Sequence, residues 1–434
     1  MATIIDTLAD FTTQVRFDQL PPHVIDESKR VLLDSIGCGL GGLSHSKGTI
    51  GVEYARMLGN AVPGARASIL GTGDRVSTVA TAFANGELIN ALDYDAILPP
   101  GHVSPYVLPG AMAVGEAGKV SGQEILCATA IAAIGRLKGH TSDQVEHGMG
   151  IAARISPVNS HWVWSQHAPS TTIKYTPAGP VVQAAMTAAH MAELGHRGDR
   201  MMLHDGEFGY RRIIGSTRWA PENILPGLGS EWFFPAEQSY KPYPHCRILH
   251  ALLDCLIDIV ETHDIRVDEI EGINARVEAF VMQPIWLLRK INHVTDAQFS
   301  VAHGLSVGAH RIPPGKAWQS PEVVFKPSVL ALMERVTFEV HPDYEKLVSA
   351  NAASRPARLE VRARGKSFTG EKRFLRGSPS PEPETTMTTD ELVAKFVGNA
   401  QGVLSPSRTD EVIGKLLALE QVDDFSSVMA LLSK

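Results

Sequence analysis

The stretch Val76-Ser77-Thr78-Val79-Ala80-Thr81-Ala82-Phe83-Ala84-Asn85-Gly86-Glu87-Leu88-Ile89-Asn90-Ala91-Leu92 is long and Ala-rich and predicts a helix. Its small residues Ala82, Ala84, Gly86 and Ala91 would let a neighbouring helix come close. The same character recurs outward from it. Residues 123–137 predict another such helix, with Ala128, Ala130, Ala132 and Ala133. So do 142–153 and 181–194, the latter beginning just after Pro180. Upstream, Val24, Ile25, Val31, Leu32 and Ile36 fall at roughly helical spacing, and the glycines at 37, 39, 41 and 42 read as the turn that ends that helix. The first half is expected to be a tightly packed helical domain.

Composition shifts near residue 235. In 270–281, Ile273, Ala275, Val277, Ala279 and Val281 alternate with polar residues, as in a half-buried strand. Residues 336–340, 357–364 and 366–374 also read as strands, with helices at 248–263 and 297–309. The Pro-, Ser- and Glu-rich 377–385 reads as a linker. Helices return at 389–400, 406–419 and 423–432. The expected fold is mainly α, with a helical domain (1–237 and 385–434) interrupted by an α+β domain (238–384).

The 434 residues, 44% hydrophobic and 20% charged, are ample for a buried core. A net charge of −7 argues against nucleic acid or an anionic membrane as partner. Four cysteines without paired spacing fit a reducing cytoplasm better than a disulfide framework. The first fourteen residues carry Asp6 and Asp10 and no basic residue, so no signal peptide is expected there, and no apolar run is long enough for a membrane span.

Several motifs are formal matches only. Gly37-Cys38-Gly39-Leu40-Gly41-Gly42 fits GxGxxG, but a helix precedes it, not the strand a dinucleotide site needs. Gly304-Leu305-Ser306-Val307-Gly308 fits GxSxG but reads as helix interior, and no Asp lies between Ser306 and His341. His245, Cys246, His250 and Asp254 are residue types that bind zinc, yet no second cluster completes a site, so no metal is expected.

The informative stretch follows the quoted helix. Asp93 and Asp95 end it, and a loop with Pro99, Pro100 and Pro105 then presents His102. An acid and a His held near one another can move protons; a capped helix with surface acids is the bland alternative. Two basic segments add to it, one with Lys174 and one, Tyr240-Lys241-Pro242-Tyr243-Pro244-His245-Cys246-Arg247, with three basic side chains in seven residues. Such a patch suits a small anion, although it could equally be a solvated loop.

At these residues the chain resembles the MmgE/PrpD family over nearly its whole length. The resemblance rests on Leu33-Asp34-Ser35-Ile36-Gly37-Cys38, on Ala84-Asn85-Gly86 through Asp93-Tyr94-Asp95, and on Gly101-His102 with Leu108-Pro109. It continues in Gly150-Ile151-Ala152-Ala153, the Lys174 segment, Lys241-Pro242-Tyr243-Pro244, Asp296-Ala297-Gln298-Phe299-Ser300, and Asp390-Glu391-Leu392 with Lys395-Phe396. The family includes 2-methylcitrate dehydratase, cis-aconitate decarboxylase and iminodisuccinate epimerase. The resemblance implies a large all-helical domain with a smaller α+β lid, a homodimer, and a metal-free pocket between the domains. The small-residue helices independently suit a homodimer. Carried over, Asp93, His102, Lys174 and Lys241 are the expected catalytic residues, with Tyr94, Asp95, His245 and Arg247 as substrate contacts. His102 would be the acid/base, an Asp of the 93/95 pair would orient it, and Lys174, Lys241 and Arg247 would hold carboxylates.

The chain departs from the family at several positions. Ala96 stands where many members have an acid, and Val103 where many have Pro. Members usually carry a few tens of residues after the position of Leu137, including a pocket His that is missing here; His140, His161 or His167 are candidates to replace it. Some members also place the lid His at the position of Cys246, one after His245. The expected function is a cofactor-free, dehydratase-type lyase on a small polycarboxylate. An epimerase of an amino- or imino-dicarboxylate and a non-catalytic ligand-binding homologue are the alternatives.

Overall fold

The computed structural model describes residues 2–59, 66–99, 101–131, 134–158, 161–175 and 177–433. The elements that build and hold the site are helices α1 (Pro22–Gly42), α2 (Thr78–Asn90), α3 (Ser104–Gly118), α4 (Ala178–Glu193), α5 (His250–Thr262), α6 (Val301–Ala309) and α7 (Thr389–Ala400). Four strands accompany them: β1 (Ile270–Val277), β2 (Val336–Val340), β3 (Ala357–Ala363) and β4 (Lys366–Lys372). The protein is mainly α. Among the described residues no helix is long and apolar enough to cross a membrane.

The four glycines after Ile36 do not end their helix. α1 runs through all of them, and all are buried. A Cβ on Gly42 would stand 2.1 Å from the Leu88 carbonyl oxygen of α2, and one on Gly37 2.9 Å from the Phe396 ring of α7. A helical glycine costs about 1 kcal/mol relative to alanine. Here that cost is offset by two helices pressing on α1 at distances no side chain would allow. Arg30 then donates to Thr389 Oγ1 and to the Met387 carbonyl, each at 2.7 Å, and Lys395 pairs with buried Asp34 at 2.6 Å. One apolar core therefore combines Leu32, Leu40, Leu88 and Met112 with Phe396, Leu416 and Val428 from the far end of the chain.

A second core surrounds a four-stranded sheet of order β2-β1-β3-β4. β1 pairs parallel to β2, with Ile273 opposite Val336, and antiparallel to β3, with Ala275 opposite Leu359. Helix α5 covers β3 and β4, bringing Cys255 and Ile259 against Gly370. β1 is shorter than its alternation predicted. It ends at Val277, where β2 also ends, and Ala279–Val281 coils into a 3₁₀ turn.

Other boundaries differ locally. The expected helix over 123–137 is Gly122–Ile131 followed by Ile134–Leu137, with Ala132 and Ala133 outside the described residues. α4 starts at Ala178, so Pro180 sits in its first turn, where a missing N–H costs nothing. The expected helix over 297–309 is split, because Ser300 caps α6 by accepting from the His303 N–H. Pro105 opens α3 rather than stiffening the loop before it, and Pro100 lies outside the described residues.

Candidate active site

Just past the end of α2, Asp93 takes a left-handed conformation, with φ of 51°. Aspartate tolerates this region better than most residues. The turn sends the Asp93 carboxylate inward, where it is 1% exposed. Residues Ile97–Leu98 then pair with Gly101–His102 in a short hairpin that sets Ile97 opposite His102. Ile97 also exchanges both backbone hydrogen bonds with Ser239, at 2.9 and 2.8 Å. This stitch carries Lys241 to the site, although 139 positions separate it from His102.

Asp93 is the hub. Lys241 Nζ reaches Oδ2 at 2.6 Å and also donates to the Asp93 carbonyl. Lys174 Nζ lies 3.6 Å from Oδ1 and donates to the carbonyl of Asn90 at 2.7 Å. Tyr175 donates its hydroxyl to Oδ1 at 2.5 Å. Burial alone would raise the Asp93 carboxyl, but the Lys241 and Lys174 charges hold it well below the usual carboxylate range. Burial brings Lys174 down to about 8 against the pull of Asp93.

His102 sits between two acids. Its Nδ1 is 2.6 Å from Asp95 Oδ2, and its Nε2 is 2.5 Å from the Tyr175 hydroxyl and 3.7 Å from Asp93 Oδ1. The Tyr175 ring stacks on the imidazole at 4.8 Å. Asn90 spans the pair, 3.4 Å from Asp95 Oδ1 and 3.4 Å from the Tyr175 hydroxyl. Behind the turn, Lys395 donates to the Tyr94 carbonyl at 2.7 Å, and Asp34 accepts from the Ala96 N–H at 3.0 Å.

Asp93, His102 and Tyr175 face a cavity of about 380 Å³. Ile97, Ile248, Phe280, Trp164 and Trp286 give it apolar walls, and Arg247 supplies a cation at the wall. Burial and the neighbouring Arg355 bring Arg247 down to about 10, so it stays charged at neutral pH. A low-dielectric chamber with a proton-carrying wall and a fixed cation can bind an organic anion and transfer a proton to or from it.

The expected residues fall into three groups. Asp93, His102 and Arg247 line the cavity. Lys174, Lys241 and Asp95 stand behind that wall, their side chains buried: the two lysines support Asp93, and Asp95 holds the imidazole. Neither surface acids nor a solvated loop describes these segments. Tyr94 and His245 do not line the cavity. The Tyr94 hydroxyl reaches the Pro242 carbonyl, with Lys395 over its ring. The His245 ring packs over Gly304 of α6, with Nε2 against the Ser300 carbonyl, and burial pulls it down to about 4. Cys246 takes the place at the cavity, its sulfur accepting from Trp286 Nε1 at 3.4 Å.

The formal motifs dissolve in the same way. Ser306 lies inside α6 and donates to the Ala302 carbonyl. His250 reaches the His245 carbonyl, and Asp254 accepts from the Tyr243 hydroxyl. Among the described residues, no three His, Cys, Asp or Glu side chains converge on a metal position. Tyr175, Asn90 and Trp164 were not anticipated as site residues. The one available signal for Tyr175 was its adjacency to Lys174.

Residues 6–133 match the MmgE/PrpD N-terminal domain and residues 243–419 the MmgE/PrpD C-terminal domain. The chain belongs to the MmgE/PrpD family. Among MmgE/PrpD relatives it is similar to the cis-aconitate decarboxylase of Homo sapiens, 24% identical over 100% of this chain and 95% of that protein. It is 21% identical to the cis-aconitate decarboxylase of Aspergillus terreus, over 99% of this chain and 96% of the relative. The human alignment spans 476 positions against a chain of 434 residues, so some forty positions of that relative face gaps. The stretch between the two MmgE/PrpD domain matches, 134–242, carries Lys174, Tyr175 and Lys241.

Proposed function

We propose that this protein is a lyase that forms or consumes a double bond in a small polycarboxylate by moving a proton next to a carboxylate, without a bound cofactor. The observation that carries this reading is the cavity wall in which His102 and Tyr175 stand beside a carboxylate braced by two lysines, with Arg247 facing the same space. Arg247 fits a carboxylate through charge-assisted hydrogen bonds. The two lysines and Arg247 supply the positive field that an enediolate-like charge needs. His102, oriented by Asp95, is the acid/base. The names of the relatives favour loss of carbon dioxide as the bond-breaking step; loss of water uses the same groups.

A panel of di- and tricarboxylates, screened first by thermal shift and then for turnover, tests this reading. The expected result is a new conjugated alkene, with release of carbon dioxide or water, that persists through exhaustive chelation. Loss of activity on chelation that zinc or iron restores would overturn the cofactor-free part. Solvent deuterium entering a substrate without net elimination would replace the lyase with an epimerase. Saturable binding with neither reaction would make the chain a ligand-binding homologue.

The rate should also fall as pH rises through about 8. Lys174 is charged below that value and loses its proton above it, weakening the field around Asp93. In the unfolded chain a lysine keeps its proton to about pH 10. From this group alone, stability therefore rises across the same window. The alkaline loss would thus be reversible and separate from unfolding. A kcat/KM profile flat to about pH 10 would contradict it.

A further inference from the structure

Of the three histidines named as replacements for the family's missing pocket His, His140 and His167 do not line this cavity. His167 lines a neighbouring cavity that shares Trp164 with this one, and His140 lines a groove between helices that also includes Ala152 and Ala189. The side chain of His161 lies outside the described residues.

The cavity wall holds another candidate. The Tyr175 hydroxyl has one proton; it lies 2.5 Å from Asp93 Oδ1 and 2.5 Å from His102 Nε2, and it accepts from Asn90 Nδ2 at 3.4 Å. Asp93 is ionised and only accepts, so the phenol donates to Asp93 and accepts from the Nε2–H. The other ring nitrogen faces a second carboxylate, Asp95, at 2.6 Å. The line of donors therefore runs from a doubly protonated His102 outward to Asp95 on one side and through Tyr175 to Asp93 on the other. The phenol also borders the cavity directly.

We propose that Tyr175 is the proton donor of the reaction, giving its phenolic proton to the reacting atom of the substrate while His102 replaces it. This rests on the lyase reading above. Rotation about the phenolic C–O bond turns the proton from Asp93 to the cavity. The O–H bond breaks and the proton joins either the carbon that keeps the electron pair as carbon dioxide leaves, or the hydroxyl that leaves as water. The Nε2–H bond breaks in concert, its proton restores the phenol, and His102 is left neutral. Decarboxylation consumes one proton, which water returns to His102. In dehydration, the neutral His102 takes the proton from the substrate carbon, which balances the one given to the hydroxyl. Burial, with the charges of Asp93 and Asp95, drives the Tyr175 phenol well above its ordinary value, so the phenolate does not accumulate and the refill from His102 is required.

Tyr175→Phe tests the assignment, because it keeps the ring stacked on His102 and edge-on to Trp164 and removes the hydroxyl alone. On the substrate that the panel identifies, kcat should fall by about 10²-fold or more, with KM and melting temperature near wild type. A hydroxyl with a merely structural role would instead lower melting temperature or raise KM. A tyrosine fluorinated beside the hydroxyl at position 175 keeps the hydrogen bonds and makes the phenol a stronger acid, and kcat should then rise. Wild-type kcat in Tyr175→Phe, or an unchanged kcat in the fluorinated protein, overturns the donor role and leaves the lyase standing. A wild-type protein inactive on the whole panel overturns both.

Discussion

In the His102→Ala protein, kcat falls by about 10²- to 10⁴-fold while KM stays near the wild-type value. The range is that of a positioned acid/base. The unequal effect follows from where the ring sits. His102 is joined to Asp95 on one nitrogen and to Tyr175 on the other, so its removal breaks the proton route, while Arg247 still faces the cavity to hold the anion. An interaction made only in the transition state lowers kcat and kcat/KM together. Steady-state kinetics on the true substrate decide the matter, and wild-type kcat in this variant would end the assignment. Asp95→Asn provides a graded companion. It keeps the shape but removes the acceptor charge at Nδ1, and should give a smaller loss of the same kind.

The second large effect is expected from Lys241→Ala, and it differs from what the sequence suggested. A free anchoring lysine would mainly raise KM. Lys241 is fully buried, does not line the cavity, and contacts Asp93 through both the carboxylate and the carbonyl. Truncating it leaves a buried carboxylate without its nearest cation, and breaking such a pair costs about 3–5 kcal/mol. The variant should melt well below wild type and lose most of its turnover. Lys241→Arg should not rescue it, because a guanidinium fork does not fit a pocket shaped around an ammonium. Pairing Lys241→Met with Asp93→Asn should recover much of the melting temperature and none of the activity. A Lys241→Ala protein that melts like wild type would show that the pair does not brace the site.

What the sequence carried and what it did not divide along the range of the contacts. Asp93, Asp95 and His102 lie within ten residues on one turn and hairpin, so local spacing revealed them. The helical first half, the strands and the return of helices at 389 were legible from periodicity and composition. Tyr175 was not, because its meaning comes from Asp93, 82 positions earlier. The continuation of α1 through four glycines was hidden for the same reason: glycine reads locally as a breaker, and only the approach of Leu88 and Phe396 shows why it is tolerated. His245 and Cys246 are neighbours in the chain, and which of them meets the cavity is decided by the packing of α6, not by residue type.

The brace behind the Asp93 turn has a consequence for synthesis. Lys395, on α7, holds the Tyr94 carbonyl and pairs with Asp34, and Asp34 in turn fixes the backbone at Ala96. Among the described residues, those that line the cavity are made by position 286, yet the support of their turn arrives more than a hundred residues later. A nascent chain therefore carries the turn behind its acid and imidazole without this support until Lys395 has been added. A frameshift or clip that removes only this tail, far from the chemistry in sequence, takes away the back wall of the active site.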